Sequence, residues 1–224
     1  MSTARIYLDS AELDQVKEAV STGLVDGIAT NPNKIALSGK TYRRVLEEIR
    51  GFFDGPIAFQ AMGGTTEAII RHALEIHKMD PMLAVKVVAD GAGLPAIKPL
   101  VAEGVRTNAT LIFNPAQALM AGLAGSPYIS PFIGRARRTG SDGIEAIRRM
   151  RQLYDAWGID KTCIIGASIK DVEQVIDVIL AGVHAVAVPF TVFKAIMEHP
   201  LTERGLAQFA EEFDRVSSRS KDKE

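Results

Sequence analysis

One lysine lies in a stretch of sequence that is expected to be buried. Lys86 occupies the middle of an apolar run from Leu83 to Val88, which is typical of a parallel strand covered on both faces. Lysine is almost never buried without a reason, and burial lowers the pKa of an amine because it disfavours the ammonium form. A neutral amine can attack a carbonyl carbon and form a Schiff base. A lysine near a strand end can instead extend to solvent, but the position of Lys86 within the run favours the catalytic interpretation.

This run belongs to a pattern of short apolar segments that alternate with longer amphipathic segments along the chain. The eight strands predicted in this way are 5–8, 27–30, 57–60, 82–87, 106–112, 128–131, 162–166 and 185–188. Strands that alternate with helices form a parallel sheet, and eight such units close a barrel. An open doubly wound sheet is the alternative, but it often carries a glycine-rich turn after its first strand, and the segment Asp9–Glu12 contains no glycine. We therefore predict an α/β fold: a single (β/α)₈ TIM barrel with an extra C-terminal helix over residues 1–216, and a disordered tail over 217–224.

Composition and charge narrow the class of protein. The chain has 224 residues, of which 47% are hydrophobic and 24% charged, as is ordinary for one soluble domain. Its formal net charge of −1 provides no overall field that attracts nucleic acid or a membrane surface. Its single cysteine, Cys163, excludes an internal disulfide. No apolar run approaches the ~20 residues of a membrane span, so we expect a cytoplasmic enzyme with no membrane or nucleic-acid partner.

Polar residues follow seven of the eight predicted strands, where a barrel of this kind carries its catalytic groups. They are Asp9, Thr30, Asn31, Gln60, Lys86, Asn108, Thr110, Ser130, Arg135, Ser168 and Lys170. Asp9 suits general acid–base chemistry beside a neutral amine, although Asp9 or Ser10 could equally cap the first helix. Asn31 and Asn108 are either simple turn residues or ligands for sugar hydroxyls.

Three residues after the sixth and seventh strands form a candidate anion site. Arg135 supplies a fork of donors, Lys170 a point charge, and Ser168 a hydroxyl near the start of a helix. A solvated basic loop is the alternative interpretation, and it is the one we favour for Arg137 and Arg138.

Several segments together resemble the transaldolase family. They are Ala29–Asn33, Lys86 with Asp90–Leu94, Thr107–Phe113, Ser130–Arg135, Gly166–Lys170 and His199–Thr202. The resemblance covers almost the whole chain, and the length is similar to the short branch, which includes fructose-6-phosphate aldolases and small transaldolases. It implies a Schiff-base (class I) mechanism with no metal and no other cofactor, in which Lys86 binds a ketose donor.

The resemblance also implies roles for the other residues of the site. Asp9 would act as the acid–base group in carbon–carbon cleavage. The remaining residues would hold a catalytic water (Gln60 and Thr110), bind the dihydroxyacetone portion of the donor (Asn31, Asn108 and Ser130, beside Phe132) and bind the distal phosphate (Arg135, Ser168 and Lys170).

We accordingly predict a transaldolase of carbohydrate and pentose phosphate metabolism. It would transfer a dihydroxyacetone unit from a ketose phosphate such as fructose 6-phosphate to an aldose acceptor. The alternative is an aldolase-type lyase that releases free dihydroxyacetone. Gln60 is similar to the aldolase branch, whereas Phe132 and Asn108 are similar to the transaldolase branch. The full proton-transfer set of neither branch is therefore present, because glutamine is not a base and phenylalanine has no hydroxyl.

Three residues of the second motif depart from the family pattern. Ala29, Asn33 and Lys34 replace a threonine, a small residue and an apolar residue. Lys34 either adds positive charge near the mouth of the barrel or is a lysine of a surface loop, which is the interpretation we favour. Together these changes leave open the same chemistry on a sugar with another anion, such as a sulfonate. A sugar-phosphate binding protein without turnover is a further hypothesis, disfavoured by the presence of both Lys86 and Asp9. A decarboxylating or isomerising barrel is also disfavoured. Such barrels bind phosphate after strands seven and eight, whereas Arg135 follows strand six.

The end of the chain predicts self-association. Leu206, Phe209, Ala210 and Phe213 form one apolar stripe at helical spacing. Family members are usually rings whose last helix packs on a neighbour, so the resemblance implies a ring-like homo-oligomer such as a pentamer or decamer. The same stripe could instead cover the bottom of its own barrel.

Overall fold

Eight parallel strands close into a barrel in the order of the sequence, β1 to β8. The computed structural model describes residues 5–138, 140 and 142–221. The strands are β1 (Arg5–Asp9), β2 (Gly27–Ala29), β3 (Ile57–Gln60), β4 (Ala84–Val88), β5 (Arg106–Ile112), β6 (Tyr128–Pro131), β7 (Cys163–Gly166) and β8 (Ala185–Pro189). The predicted (β/α)₈ barrel is thereby confirmed.

Helices follow every strand and surround the barrel. They are α1 (Leu13–Ser21), α2 (Pro32–Ser38), α3 (Tyr42–Arg50), α4 (Thr66–Met79), α5 (Gly93–Ala102), α6 (Pro115–Leu123), α7 (Ile133–Arg138), α8 (Gly143–Trp157), α9 (Val172–Leu180), α10 (Phe190–Met197) and α11 (Pro200–Lys221). In the part of the chain that is described, no helix combines the length and the apolar character needed to cross a bilayer.

Alternation along each strand separates the outer core from the barrel interior. Val85 and Val87 are fully buried within the large apolar cluster that the strands form with the surrounding helices. Ala84 and Lys86 instead line the interior of the barrel. The two-residue period of β4 therefore aims the lysine at the centre of the barrel.

The interior below Lys86 is lined mainly by apolar side chains, among them Ile57, Ala58, Ala84 and the ring of Tyr7. Apolar side chains fill the interior of most barrels of this kind. The lysine is therefore enclosed by largely apolar walls on its lower side.

Strand register places the polar residues of neighbouring strands side by side. Lys86 pairs with Gln60 on β3 and with Asn108 on β5. Thr110 pairs with Ser130 on β6, and the register then shifts at Leu111, whose φ is 56°. This irregularity lies near the C-terminal end of β5, at the mouth of the barrel. Such a bulge bends a strand and redirects the side chains at its end.

Two short helices were not predicted from the sequence. Both follow strands directly and contribute to the mouth of the barrel: α2 begins after Asn31, and α7 begins after Phe132. The start of α2 has a recognisable cap, because the Asn31 side chain accepts a hydrogen bond from the Lys34 amide and Pro32 occupies the first turn.

The predicted cap of the first helix was wrong. Glu12, not Ser10 or Asp9, occupies the N-cap position of α1, and its side chain makes no capping hydrogen bond. The Ser10 hydroxyl accepts a hydrogen bond from the Glu12 amide and donates one to Gln15. Asp9 is therefore not committed to the helix and remains at the end of β1.

The last helix is longer than the sequence pattern indicated. It runs to Lys221 rather than ending at residue 216, and residues 222–224 lie outside the described part of the chain. Leu206, Phe209 and Phe213 are 62%, 69% and 71% exposed. The apolar stripe therefore does not cover the bottom of its own barrel.

Candidate active site

Lys86 is buried at the centre of the barrel mouth. Its Nζ donates a hydrogen bond of 2.9 Å to the backbone carbonyl oxygen of Thr30. Burial lowers the pKa of the Lys86 amine, and the nearby charge of Asp9 opposes this effect more weakly. The environment thus favours the neutral amine that nucleophilic attack requires.

Asp9 occupies the same cleft, at the end of β1. The Asn31 side chain donates a hydrogen bond of 3.3 Å from its Nδ2 to the Asp9 carboxylate, and its Oδ1 accepts one of 3.2 Å from the Lys34 amide. The start of α2 therefore fixes Asn31, and Asn31 in turn orients Asp9. A carboxylate held in this way can exchange a proton with a substrate hydroxyl.

Asn108 and Ser130 form a buried polar pair beside the lysine. The Ser130 hydroxyl donates a hydrogen bond of 2.9 Å to Asn108 Oδ1, and both side chains border the interior space below Lys86. With its oxygen already bonded, Asn108 retains its amide hydrogens as donors. The pair can therefore offer hydrogen bonds to a polar group bound at Lys86.

Gln60 and Thr110 lie on the strands around the lysine but do not line either the cleft or the space below it. The Gln60 amide nitrogen lies 3.7 Å from Met62 Sδ, and the Gln60 backbone carbonyl accepts a hydrogen bond from Tyr42. The Thr110 hydroxyl oxygen is buried and has no hydrogen-bond partner within the described residues. A buried hydroxyl of this kind is available to a further polar group.

One wall of the cleft, formed by α7 and the loop after β7, brings the predicted anion-binding residues together. The Gly134 amide donates a hydrogen bond of 3.2 Å to the Ser168 carbonyl oxygen, which joins the start of α7 to the loop after β7. A Cβ at Gly134 would contact that carbonyl and lie 2.8 Å from Lys170 Cγ, so the close approach requires glycine. Ser168 has a φ of 62°, a left-handed conformation that costs a residue with a Cβ about 1–2 kcal/mol.

An aromatic pair supports the arginine of this wall. The Arg135 guanidinium lies 5.3 Å from the centroid of the Phe132 ring, and Phe113 contacts the same ring edge-on at 6.0 Å. Stacking on an aromatic face restrains an arginine that is otherwise exposed. Arg135 thereby presents its charge to the cleft, which Lys170 also lines.

The cleft is open at the C-terminal ends of the strands. It is lined by Asp9, Ala29, Asn31, Asn33, Lys34, Leu37, Lys86, Phe132, Arg135, Ala167, Ser168, Ile169, Lys170, Ala187 and Pro189. Seven of the residues predicted for the site therefore meet in one cleft, and Asn108 and Ser130 meet below it.

Three lining residues that were not among the predicted site residues, Asn33, Lys34 and Leu37, belong to α2. The Asn31–Pro32 cap is the signal in the sequence that could have identified this helix. Across residues 5–138, 140 and 142–221, no group of three or more His, Cys, Asp or Glu side chains is placed to hold a metal ion.

Comparison with known proteins identifies the family. The family model described as Transaldolase/Fructose-6-phosphate aldolase matches residues 6–223. A probable transaldolase of Thermoplasma acidophilum is 40% identical over 216 residues, which cover 95% of this chain and 96% of the relative. A probable transaldolase of Heliobacterium modesticaldum is 39% identical over 215 residues, which cover 96% of this chain and 100% of the relative.

A solved structure with low identity shares the fold. Thiamine phosphate pyrophosphorylase from Pyrococcus furiosus is 15% identical, with a TM-score of 0.59 over 86% of this chain and 88% of that one. This similarity concerns the barrel architecture alone. The family match and the identities of the relatives together show that the chain belongs to the transaldolase/fructose-6-phosphate aldolase family.

Proposed function

We propose that the protein is a class I transaldolase, which transfers dihydroxyacetone from a ketose phosphate such as fructose 6-phosphate to an aldose. The observation that carries this proposal is the placement of a buried lysine and a carboxylate in one cleft. Lys86 and Asp9 both line that cleft, and Arg135 and Lys170 lie at its far wall. Formation of a Schiff base needs the amine, proton transfer needs the carboxylate, and binding of a phosphate needs the two cations.

The first step of the proposed reaction is formation of the Schiff base. The lone pair of the Lys86 amine attacks the ketone carbon of the donor, and the adduct loses its former carbonyl oxygen as water. Asn108 and Ser130, which border the same amine, bind the hydroxyls next to the reacting carbon. The buried Thr110 hydroxyl, with Gln60, holds the water that later hydrolyses the imine.

Cleavage follows at the C3–C4 bond of the donor, which is separated from the imine carbon, C2, by the C2–C3 bond. Asp9 accepts the proton of the C4 hydroxyl, the C3–C4 bond breaks, and its electron pair moves into the protonated imine to give an enamine. The aldose phosphate leaves from the wall formed by Arg135, Ser168 and Lys170. In the second half of the reaction, the enamine carbon attacks an acceptor aldehyde and Asp9 returns the proton to its oxygen.

Transfer is favoured over release because the residues near the enamine are poor proton donors. Free dihydroxyacetone forms only if a proton reaches the enamine carbon before the acceptor does. Phe132 contributes an aromatic ring without a hydroxyl, packed between Phe113 and Arg135, and Gln60 is not an acid. The names of the relatives, probable transaldolases, support the same choice, so neither the lyase nor the sulfonate alternative is favoured.

An acceptor-dependence assay tests this proposal. The protein is incubated with fructose 6-phosphate, with and without erythrose 4-phosphate, and ketose consumption and free dihydroxyacetone are measured. We expect consumption to depend on the acceptor and to yield a seven-carbon ketose phosphate. Equal consumption without the acceptor, with dihydroxyacetone released, would identify a lyase, and no consumption in either case would favour a binding protein.

We also propose that the chain assembles into a ring-like homo-oligomer through α11. Its apolar side chains Leu206, Phe209 and Phe213 are exposed in the single chain, and a contiguous apolar stripe of this kind usually marks an interface. The number of subunits and the cytoplasmic location expected from the sequence stay predictions.

A further inference from the structure

The cleft contains more positive charge than a Schiff-base lysine and one anion site require. Lys34, Arg135 and Lys170 line it with Lys86, and Asp9 is the one carboxylate among the lining residues. No salt bridge involves Lys34, Arg135 or Lys170 within the described residues. These three cations are therefore available to a ligand.

Lys34 lies on the wall opposite the other two cations. It belongs to α2, after β2, whereas Arg135 belongs to α7, after β6, and Lys170 follows β7. In the closed barrel β1 and β8 separate β2 from β7, and their ends contribute Asp9 and Pro189 to the floor between the walls. A terminal group bound above this floor lies between cations on both sides.

The position of Lys34 is determined by the capped start of its helix. Its amide donates to Asn31 Oδ1 in the first turn of α2, and Asn31 also holds Asp9. The side chain is half-buried against the cleft, so the lysine is not a freely solvated surface charge.

Charge balance indicates the ligand class. Apart from Lys86, whose pKa is lowered by burial, the three cations Lys34, Arg135 and Lys170 and the carboxylate of Asp9 give the cleft an excess of two positive charges. A phosphate monoester carries about −1.5 to −2 at neutral pH, which matches this excess, whereas a sulfonate or carboxylate carries −1. Without Lys34 the cleft would match a monoanion.

We propose that Lys34 is a specificity-determining residue, which selects ketoses with a dianionic terminal phosphate over monoanionic and uncharged sugars. This inference rests on the proposed function for its substrate class. It assigns to α2 a part in anion binding, separate from the wall formed by Arg135, Ser168 and Lys170.

The test compares K34M and K34R with wild type, using uncharged erythrose as the acceptor. The donors are fructose 6-phosphate, the 6-sulfonate analogue of fructose, and fructose. The matched control is K98M, because Lys98 is an exposed lysine on α5 that lines neither cavity. We expect K34M to raise the KM for fructose 6-phosphate about 10-fold, as for loss of one charge-assisted contact, with kcat and the rate with fructose unchanged.

The remaining variants and donors distinguish the outcomes. K34R should recover most of the affinity, K98M should resemble wild type, and the preference of K34M for phosphate over sulfonate should shrink. An unchanged KM in K34M, or an equal loss with fructose, would overturn the inference.

A binding measurement separates this inference from the proposed function. Inorganic phosphate is titrated calorimetrically into wild type, K34M and K98M. If wild type transfers nothing but K34M alone binds phosphate more weakly, the proposed function fails and the anion-binding role stands. If K34M binds phosphate as tightly as wild type, the anion-binding role fails whatever the activity.

Discussion

The Lys86 amine donates its hydrogen bond to the backbone carbonyl of Thr30, not to a carboxylate. A carbonyl accepts a hydrogen bond from a neutral amine without stabilising the ammonium form as a full negative charge would. Thr30 is itself held by β3, since its hydroxyl and its amide both donate to the Ala58 carbonyl. The contact therefore orients the amine against a carbonyl whose residue is held by β3, and it leaves the lone pair of the neutral amine available.

A pH-dependent stability difference follows from this burial. Because burial lowers the pKa of Lys86, the unfolded chain binds a proton that the folded chain releases, between the lowered pKa and the ordinary lysine value. In that range the stability of the wild type rises with pH. We expect the gain in unfolding free energy from K86M to be larger at pH 7 than at pH 10, as measured by urea denaturation. All other titrating groups are shared by the two proteins, so an identical difference at both pH values would contradict the lowered pKa.

The role of Asp9 can be separated from Schiff-base formation. D9N keeps the shape of the side chain and an oxygen that can accept from Asn31, but it removes the proton acceptor. We expect kcat for transfer to fall by about 10²–10⁴-fold, while dihydroxyacetone still forms a reducible adduct at Lys86. Steady-state kinetics and intact mass provide the two readouts. A variant with near-normal kcat would show that another group moves the proton.

The close approach at Gly134 is expected to determine phosphate affinity. In G134A the new methyl group would contact the Ser168 carbonyl and Lys170, and would push α7 away from the loop after β7. We expect a higher KM for fructose 6-phosphate with little change for fructose, and a loss of about 1–3 kcal/mol in stability. G91A is the control, because a Cβ there meets nothing within 4 Å. Equal effects on both sugars would argue against a role in anion binding.

Removal of α11 tests the proposed assembly. Its exposed stripe of Leu206, Phe209 and Phe213 is expected to bury itself against another copy, so a chain that ends at Pro200 should be smaller in light scattering and should retain its barrel by circular dichroism. The double variant F209S/F213S should have the same effect without shortening the chain. An unchanged native mass in both variants would exclude α11 as the contact between subunits.

Most of the barrel was predictable because its strands are short apolar runs separated by long amphipathic helices. β3, β5 and β6 begin and end at the predicted residues. The short helices α2 and α7 were missed because six or seven residues are too few for a helical period to be recognised. Their positions depend on local contacts instead, such as the Asn31 cap.

The candidate site was predictable in its members but not in its arrangement. Lys86 was identifiable because a charged residue in a buried strand is conspicuous, and the family resemblance supplied the proposed roles. The hydrogen bond from Ser130 to Asn108 and the left-handed φ of Ser168 depend on register and loop packing between distant segments. Lys34 reaches the cleft only because it lies on α2, a helix that the sequence pattern does not predict.

The most direct test of the Schiff-base mechanism is reductive trapping at Lys86. The protein is incubated with fructose 6-phosphate, treated with borohydride, and examined by intact and peptide mass spectrometry, with K86M as the control. We predict an adduct with the mass of reduced dihydroxyacetone on the peptide that contains Lys86, and none in K86M. An unmodified Lys86 with both fructose 6-phosphate and dihydroxyacetone would contradict the mechanism.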